Sequence, residues 1–219
     1  MLKVGLLSPF SAHTARYGEE ILKGVEMALD EADYKVGPYT IELIPIDSQA
    51  DPAKAAEAYE QAIVETGIDV GLLNWHSSIS VACMDISAKH KMPHFFGFGA
   101  TDVVNEKYES DPEYYSYWMG KTWPSTIKLA SAYVEALETA IDAGIYPEDR
   151  KTLFITGEDT DWGRSYGAGF RTHFEAAGWE VVGEDYYPAG STEYFAFLER
   201  ARDLNPGVIA QASGGPDVV

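Results

Sequence analysis

Strand-like and helix-like segments alternate along this chain from its first residues, and that alternation limits the possible folds more than any motif does. Leu2 to Ser8 is a short apolar run closed by Ser8-Pro9, which reads as a strand. In Glu19 to Ala32, Ile21, Val25, Ala28, Leu29 and Ala32 recur at steps of three and four, which puts them on one face of a helix. Thr40 to Ile46 reads as the second strand. Asp51-Pro52 opens the second helix, because aspartate is an N-cap acceptor and proline lacks an N–H that the first turn leaves unbonded anyway. Ala55, Ala56, Tyr59, Ala62 and Ile63 form its apolar stripe, Ile68 to Leu73 is the third strand, Ile79 to His90 the third helix and Pro93 to Gly97 the fourth strand. Strands joined through helices in this way are the pattern of an α/β domain with a parallel sheet.

The composition then changes. Val104 to Pro124 gathers Tyr108, Tyr114, Tyr115, Tyr117, Trp118 and Trp123 among acidic residues. This segment is expected to cross between two lobes, its rings either packing there or forming a platform for a carbohydrate or aromatic ligand. A helix carrying Ile127, Ala130, Val134, Leu137 and Ile141, ended by Gly144 and Pro147, opens a second α/β series. Its strands are Thr152 to Thr156, Glu180 to Tyr187 and Val208 to Gln211, and its helices Gly163 to Ala177 and Glu193 to Leu204. The expected division is an N-terminal ligand-binding lobe at residues 1–122 and a second lobe at 123–219. Three strands fall short of the roughly five of an average sheet, so the second lobe is expected to be truncated, with its C-terminal part missing.

Charge and composition remove several classes of function. Lys and Arg number 16 against 35 Asp and Glu, a formal net charge of −19, and such a field repels nucleic acid and anionic bilayers. Hydrophobic residues at 46% and aromatics at 13% are too abundant for a disordered acidic tail. The single cysteine, Cys83, allows neither an internal disulfide nor a cysteine-based zinc site. No run approaches the ~18 apolar residues of a membrane span. The N-terminus enters a strand at once, so the protein is expected to be cytosolic or to have lost a leader.

Catalytic motifs are sparse. Gly163-Arg164-Ser165-Tyr166-Gly167 fits G-x-S-x-G, but an elbow serine follows its strand directly, whereas Gly157 to Trp162 intervene here. The only later histidine, His173, falls on the same expected helix, so a serine hydrolase built on Ser165 is the remote alternative. His90 and His94 are four residues apart, a metal-binding spacing on a helix, but Pro93 breaks that helix and solvated loop histidines are expected. Acid pairs such as Asp159/Asp161 and Glu109/Asp111/Glu113 read as surface charge. No phosphate-cradling glycine motif occurs. No catalytic residue, metal or cofactor is expected.

Three loops at the expected C-terminal ends of parallel strands carry the ligand-binding candidates, because open α/β sheets bind ligands there. They are Ser8 to Ser11 with Tyr17-Gly18, Asn74 to Ser78, and Gly97 to Asp102. Hydroxyls and free N–H groups at helix starts hold a carboxylate without Arg or Lys. Ser77 and Ser78 serve equally well as caps of the third helix, and the two roles are compatible.

These residues resemble a known family, the substrate-binding proteins of branched-chain amino acid type ABC transporters, which have the type I periplasmic binding protein fold. The resemblance runs from Lys3 to the end. It rests on Val4-Gly5-Leu6-Leu7-Ser8-Pro9 with Tyr17-Gly18 and Gly24, on Asp47 to Pro52, on Gly71 to Ser78 and on Pro93 to Thr101. Further on it rests on Gly157 to Gly163 and on Gly178-Trp179-Glu180-Val181-Val182 with Phe195. It implies two doubly wound, Rossmann-like lobes and a periplasmic or extracellular protein. Such a protein captures an amino acid or short amide between its lobes and passes it to a membrane permease, expected as a monomer. Residue by residue it implies a ligand carboxylate held by Ser77 and Ser78, and by Gly99, Ala100 and Thr101. Tyr17 would pack over the ligand, and Trp162 would close on it from the second lobe by hinge motion. Where the family often has a second aromatic, this chain has Gly214-Gly215-Pro216. The acid expected to pair with a ligand ammonium would lie beyond Val219. Trp75-His76-Ser77-Ser78 also resembles the urea and short-amide binders of the superfamily. A ligand-sensing receptor ectodomain is the alternative to transport.

Overall fold

A computed structural model describes residues 1–213; the Gly214-Gly215-Pro216 loop lies outside them. The chain divides into two compact units, Met1–Trp123 and Pro124 onward.

The first unit is a six-stranded sheet in the order β2-β3-β1-β4-β5-β6. Its centre is β1 (Leu2–Ser8), in parallel register with β3 (Tyr39–Asp47), Leu2 opposite Ile41 through Ser8 opposite Asp47. On its other side lies β4 (Val70–Leu72), followed by β5 (His94–Phe95) and β6 (Trp118–Met119), all parallel. A two-residue strand, β2 (Lys35–Val36), folds back antiparallel on β3. The helices are α1 (Ala15–Glu31), α2 (Pro52–Gln61), α3 (Ser77–His90) and α4 (Asp102–Ser110).

Local chemistry accounts for these elements. Leu6 and Leu7 of β1 are fully buried, as the central strand of a covered parallel sheet requires. Asp51 caps α2, its carboxylate accepting from Ala53 N at 2.9 Å and Lys54 N at 3.0 Å, and Pro52 takes the first helical position. Ala55 and Tyr59 of α2 are buried, as is Ala62 in the π-helical turn Ala62–Thr66 that follows. They pack with Leu7, Ile46, Ile79, Cys83, Met84, Phe96 and Trp118 into the core of the unit. In α1 the stripe is only half covered: Ile21, Val25 and Leu29 are partly buried, while Ala28 and Ala32 are exposed.

The aromatic stretch 104–124 reaches the boundary between the units only at its end, between Trp123 and Pro124. It contributes the body of α4, a 3-10 turn at Tyr114–Tyr117 and strand β6, and almost all of it belongs to the first unit. Trp118 packs into that unit's core, with Tyr115 against it.

The second unit has the parallel order β8-β7-β9, from β7 (Thr152–Glu158), β8 (Glu180–Tyr187) and β9 (Val208–Ala212). Its helices are α5 (Thr126–Asp142), α6 (Asp161–Ala176) and α7 (Phe195–Leu204). Leu153, Phe154 and Ile155 of β7 are fully buried, and Tyr166, Phe170 and Phe174 of α6 are buried at helical spacing. Ala130 and Val134 of α5 join them, but Ile127, assigned to the same stripe from the sequence, is 40% exposed.

Candidate functional site

In the first unit the chain leaves β1 to reach β3 on one side, then returns across β1 to β4 on the other. The loops after β1 and β4 therefore part, leaving a crevice outside the strand ends. The loop after β5 lies beside them.

The first loop is held by Asp47 at the end of β3. Its Oδ1 accepts from Phe10 N at 2.8 Å and Gln49 N at 2.9 Å. Burial pushes this carboxyl's pKa up, but hydrogen bonds from the Ser11 hydroxyl and from the Gln49, Phe10 and Ser11 N–H groups outweigh it, so the pKa lies below its ordinary value. Gly18 lets α1 start directly against this loop, because a Cβ there would lie 1.9 Å from the Pro9 carbonyl oxygen.

The second loop, Leu73 to His76, turns into α3. Asn74 Nδ2 donates to His76 O at 2.9 Å and Ser80 Oγ at 2.6 Å. His76 occupies the N-cap position without a side-chain cap. Its Nε2 lies 3.3 Å from Thr14 Oγ1 and its ring centroid 6.3 Å from that of His13. Burial and then the nearby His13 push its pKa down to about 4, so the imidazole is neutral at ordinary pH.

Ser77 is the first residue of α3 and caps nothing. Its Oγ accepts from Thr101 N at 3.2 Å, reaching the third loop, and the Thr101 hydroxyl caps α4 by accepting from Val103 N at 3.3 Å. Two helix N-termini and two hydroxyls are thereby joined at one place, with Ser77 3% and Thr101 0% exposed. Gly99 fits against Ser80, whose Oγ a Cβ would meet at 2.2 Å. Ala100 is buried beside it, while Ser78 follows on α3, partly exposed.

The aromatic rings of these loops form a row. Tyr17 stacks on Trp75 with centroids 4.4 Å apart and planes 11° apart. Phe98 lies 5.0 Å from Trp75, and Trp123 lies 5.7 Å from Phe98. Sequence spacing does not reveal this row, because its members come from four separate segments.

Lys121 is a further residue the sequence reading missed. Its Nζ donates to the carbonyls of Ala100 at 3.3 Å and Thr101 at 3.4 Å and to Asn105 Oδ1 at 3.1 Å. A cation is thereby attached to the third loop.

The remaining candidates lie on other elements. Trp162 belongs to the second unit, at the second position of α6, edge-on to Tyr166 at 5.3 Å. Ser165 lies inside α6, its hydroxyl paired with that of Thr126, so it has no elbow geometry. His94 is not a solvated histidine but fully buried, and His90 bonds Glu60 Oε1 at 2.6 Å. Asp159 pairs with Arg164 at 2.8 Å on the surface. Among the described residues no cluster of His, Cys, Asp or Glu is arranged to hold a metal ion, and no helix is long and apolar enough to cross a membrane.

Comparison with known proteins adds a family. A family model described as periplasmic binding protein matches residues 1–219. A Leu/Ile/Val-binding protein homolog 6 of Brucella abortus is 25% identical over 220 residues, 99% of this chain and 52% of that protein. A solute-binding protein of an ABC transporter from R. palustris, solved with benzoate, superposes with a TM-score of 0.83 at 23% identity. The match covers 99% of this chain and 56% of that one. A leucine-binding protein from Thermotoga maritima superposes with a TM-score of 0.82 at 18% identity, over 96% of this chain and 56% of that one. The chain thus spans about half the length of the relatives it matches.

Proposed function

Since the chain belongs to the periplasmic binding protein family, we propose that it captures a small carboxylate solute outside the cytoplasm for an ABC transporter permease. The observation that carries this reading is the joining of the α3 and α4 N-termini through Ser77 and Thr101. Aligned N–H groups and helix dipoles attract an anionic oxygen. Ser77, Ser78, Gly99, Ala100 and Thr101 supply the polar floor, and Tyr17 belongs to the aromatic row beside it. Trp162 is the contribution proposed from the second unit.

The aromatic row favours a carboxylate with a flat ring, because offset stacking rewards aromatic bodies beyond the area they bury. The R. palustris neighbour solved with benzoate supports that choice. An aliphatic amino acid is the second reading, supported by the leucine-binding and Leu/Ile/Val-binding relatives.

A thermal-shift screen of benzoates, amino acids, urea and short amides distinguishes these, because a ligand that binds only the folded chain raises its melting temperature. A rise with a benzoate alone supports the first reading and a rise with leucine alone the second. No rise with any carboxylate would overturn both.

A further inference from the structure

We infer that His94, buried in β5, is a positioning residue for the solute site: it clamps the Leu73 carbonyl and so fixes the turn that presents Trp75, His76 and Ser77. This rests on the proposed function only for what the turn binds. His94 Nε2 lies 2.9 Å from Leu73 O, and Nδ1 lies 2.9 Å from Tyr59 Oη. A carbonyl oxygen only accepts, so Nε2 carries the proton; Nδ1 then accepts, and the Tyr59 hydroxyl donates to it. The Leu73 carbonyl thus sets the tautomer, and the hydroxyl of Tyr59, a residue of α2, holds the ring through its other nitrogen.

The ring has no room to turn. It stacks on Trp118 with centroids 4.0 Å apart and planes 9° apart, and meets the Tyr59 ring edge-on at 5.2 Å. On its remaining side is Gly71 of β4, where a Cβ would lie 2.1 Å from His94 Nδ1. His94 itself is 0% exposed.

The group it holds is under strain. Leu73 has φ +55°, a left-handed conformation that a side chain bearing a Cβ seldom adopts. Its N–H donates to Phe95 O at 2.8 Å and its carbonyl accepts from His94, so both of its hydrogen-bonding groups are tied to β5. The next residues are Asn74, whose amide pins His76 O, Trp75 of the aromatic row and Ser77. Without the His94 donor, a partly buried carbonyl loses its partner and the left-handed turn loses its restraint.

The test uses the chain labelled with 5-fluorotryptophan, its Trp75 resonance assigned from Trp75→Phe, together with calorimetric titration of benzoate and leucine. His94→Asn, whose amide reaches the Nδ1 position but not Nε2, should shift or broaden the Trp75 signal and weaken binding about tenfold. His94→Gln, with a donor near Nε2, should preserve both. Adding Leu73→Gly to His94→Asn should recover most of the loss, because glycine adopts the left-handed turn without strain. An unchanged Trp75 signal and affinity in His94→Asn overturns the inference, as does a double variant no better than the single one. If His94→Asn does not fold, Tyr59→Phe, which removes the hydroxyl that holds the ring through Nδ1, is expected to give the same signal change to a smaller degree, and no change refutes the role. If the wild-type chain binds neither probe, the proposed function fails while the Trp75 signal still decides the role of His94.

Discussion

Ser77 Oγ accepts the backbone N–H of Thr101 across 3.2 Å, and this bond ties the start of α3 to the loop that caps α4. A hydroxyl that the sequence offered equally as a helix cap or a ligand group spans two strand-end loops. Its removal has two consequences. Ser77→Ala leaves a buried N–H without an acceptor, which costs about 1–3 kcal/mol of stability. It should also weaken carboxylate binding about tenfold or more. Urea unfolding and calorimetry measure the two separately, and unchanged affinity would remove Ser77 from the site.

Trp75 is the shared member of two ring contacts, with Tyr17 and Phe98. Trp75→Leu keeps an apolar side chain but removes both ring contacts, worth about 0.5–1.5 kcal/mol each. Affinity for benzoate is expected to fall more than affinity for leucine in paired titrations. Equal losses would mean that the row does not select rings.

Asp47 joins the end of β3 to the loop after β1 through Phe10 N, and holds its own following loop through Gln49 N. Asp47→Ala should destabilise the chain by about 1–3 kcal/mol, the scale of charge-assisted hydrogen bonds, and speed amide exchange at Phe10 and Gln49. Exchange rates that stay at wild-type values would show that the loop is held by other contacts.

Burial depresses the pKa of two histidines, His76 from 6.5 to about 4 and His94 from 6.5 to about 3. In both cases the folded state favours the neutral ring. As pH falls from about 6.5 towards 4, the unfolded chain takes up protons that the folded chain refuses, so stability declines across that window. Asp47, with its depressed pKa, adds its loss only at lower pH. The urea midpoint should therefore be lower at about pH 5 than at about pH 7, and His76→Asn should reduce the difference. Equal wild-type midpoints would contradict the burial of both rings.

The alternation of elements was legible because apolar periodicity is local. Glu180–Tyr187 lies where the run of residues indicates, and the Asp51-Pro52 helix start has the expected cap. Boundaries shifted where tertiary contacts decide them: α1 begins at Ala15, four residues before Glu19, since Gly18 lets it lie against Pro9. The two-residue strands β2 and β6 are too short for any period to reveal, whereas β5 falls inside the expected strand Pro93 to Gly97. His94 read as solvated because the contacts that bury it are long-range, its partner Tyr59 lying 35 residues away. The loops bearing Ser77 and Thr101 were found from topology, whereas the bond between them, the ring row and the attachment of Lys121 are long-range contacts that spacing does not encode.

The most direct test of a site at the α3 and α4 starts is to follow backbone amide resonances while benzoate, and separately leucine, is added. Saturable shifts are expected at Ser77 to Ile79 and at Ala100 to Val103 with at least one of them, and these shifts should vanish in Ser77→Ala. Saturable shifts elsewhere, with these amides unmoved, would contradict it.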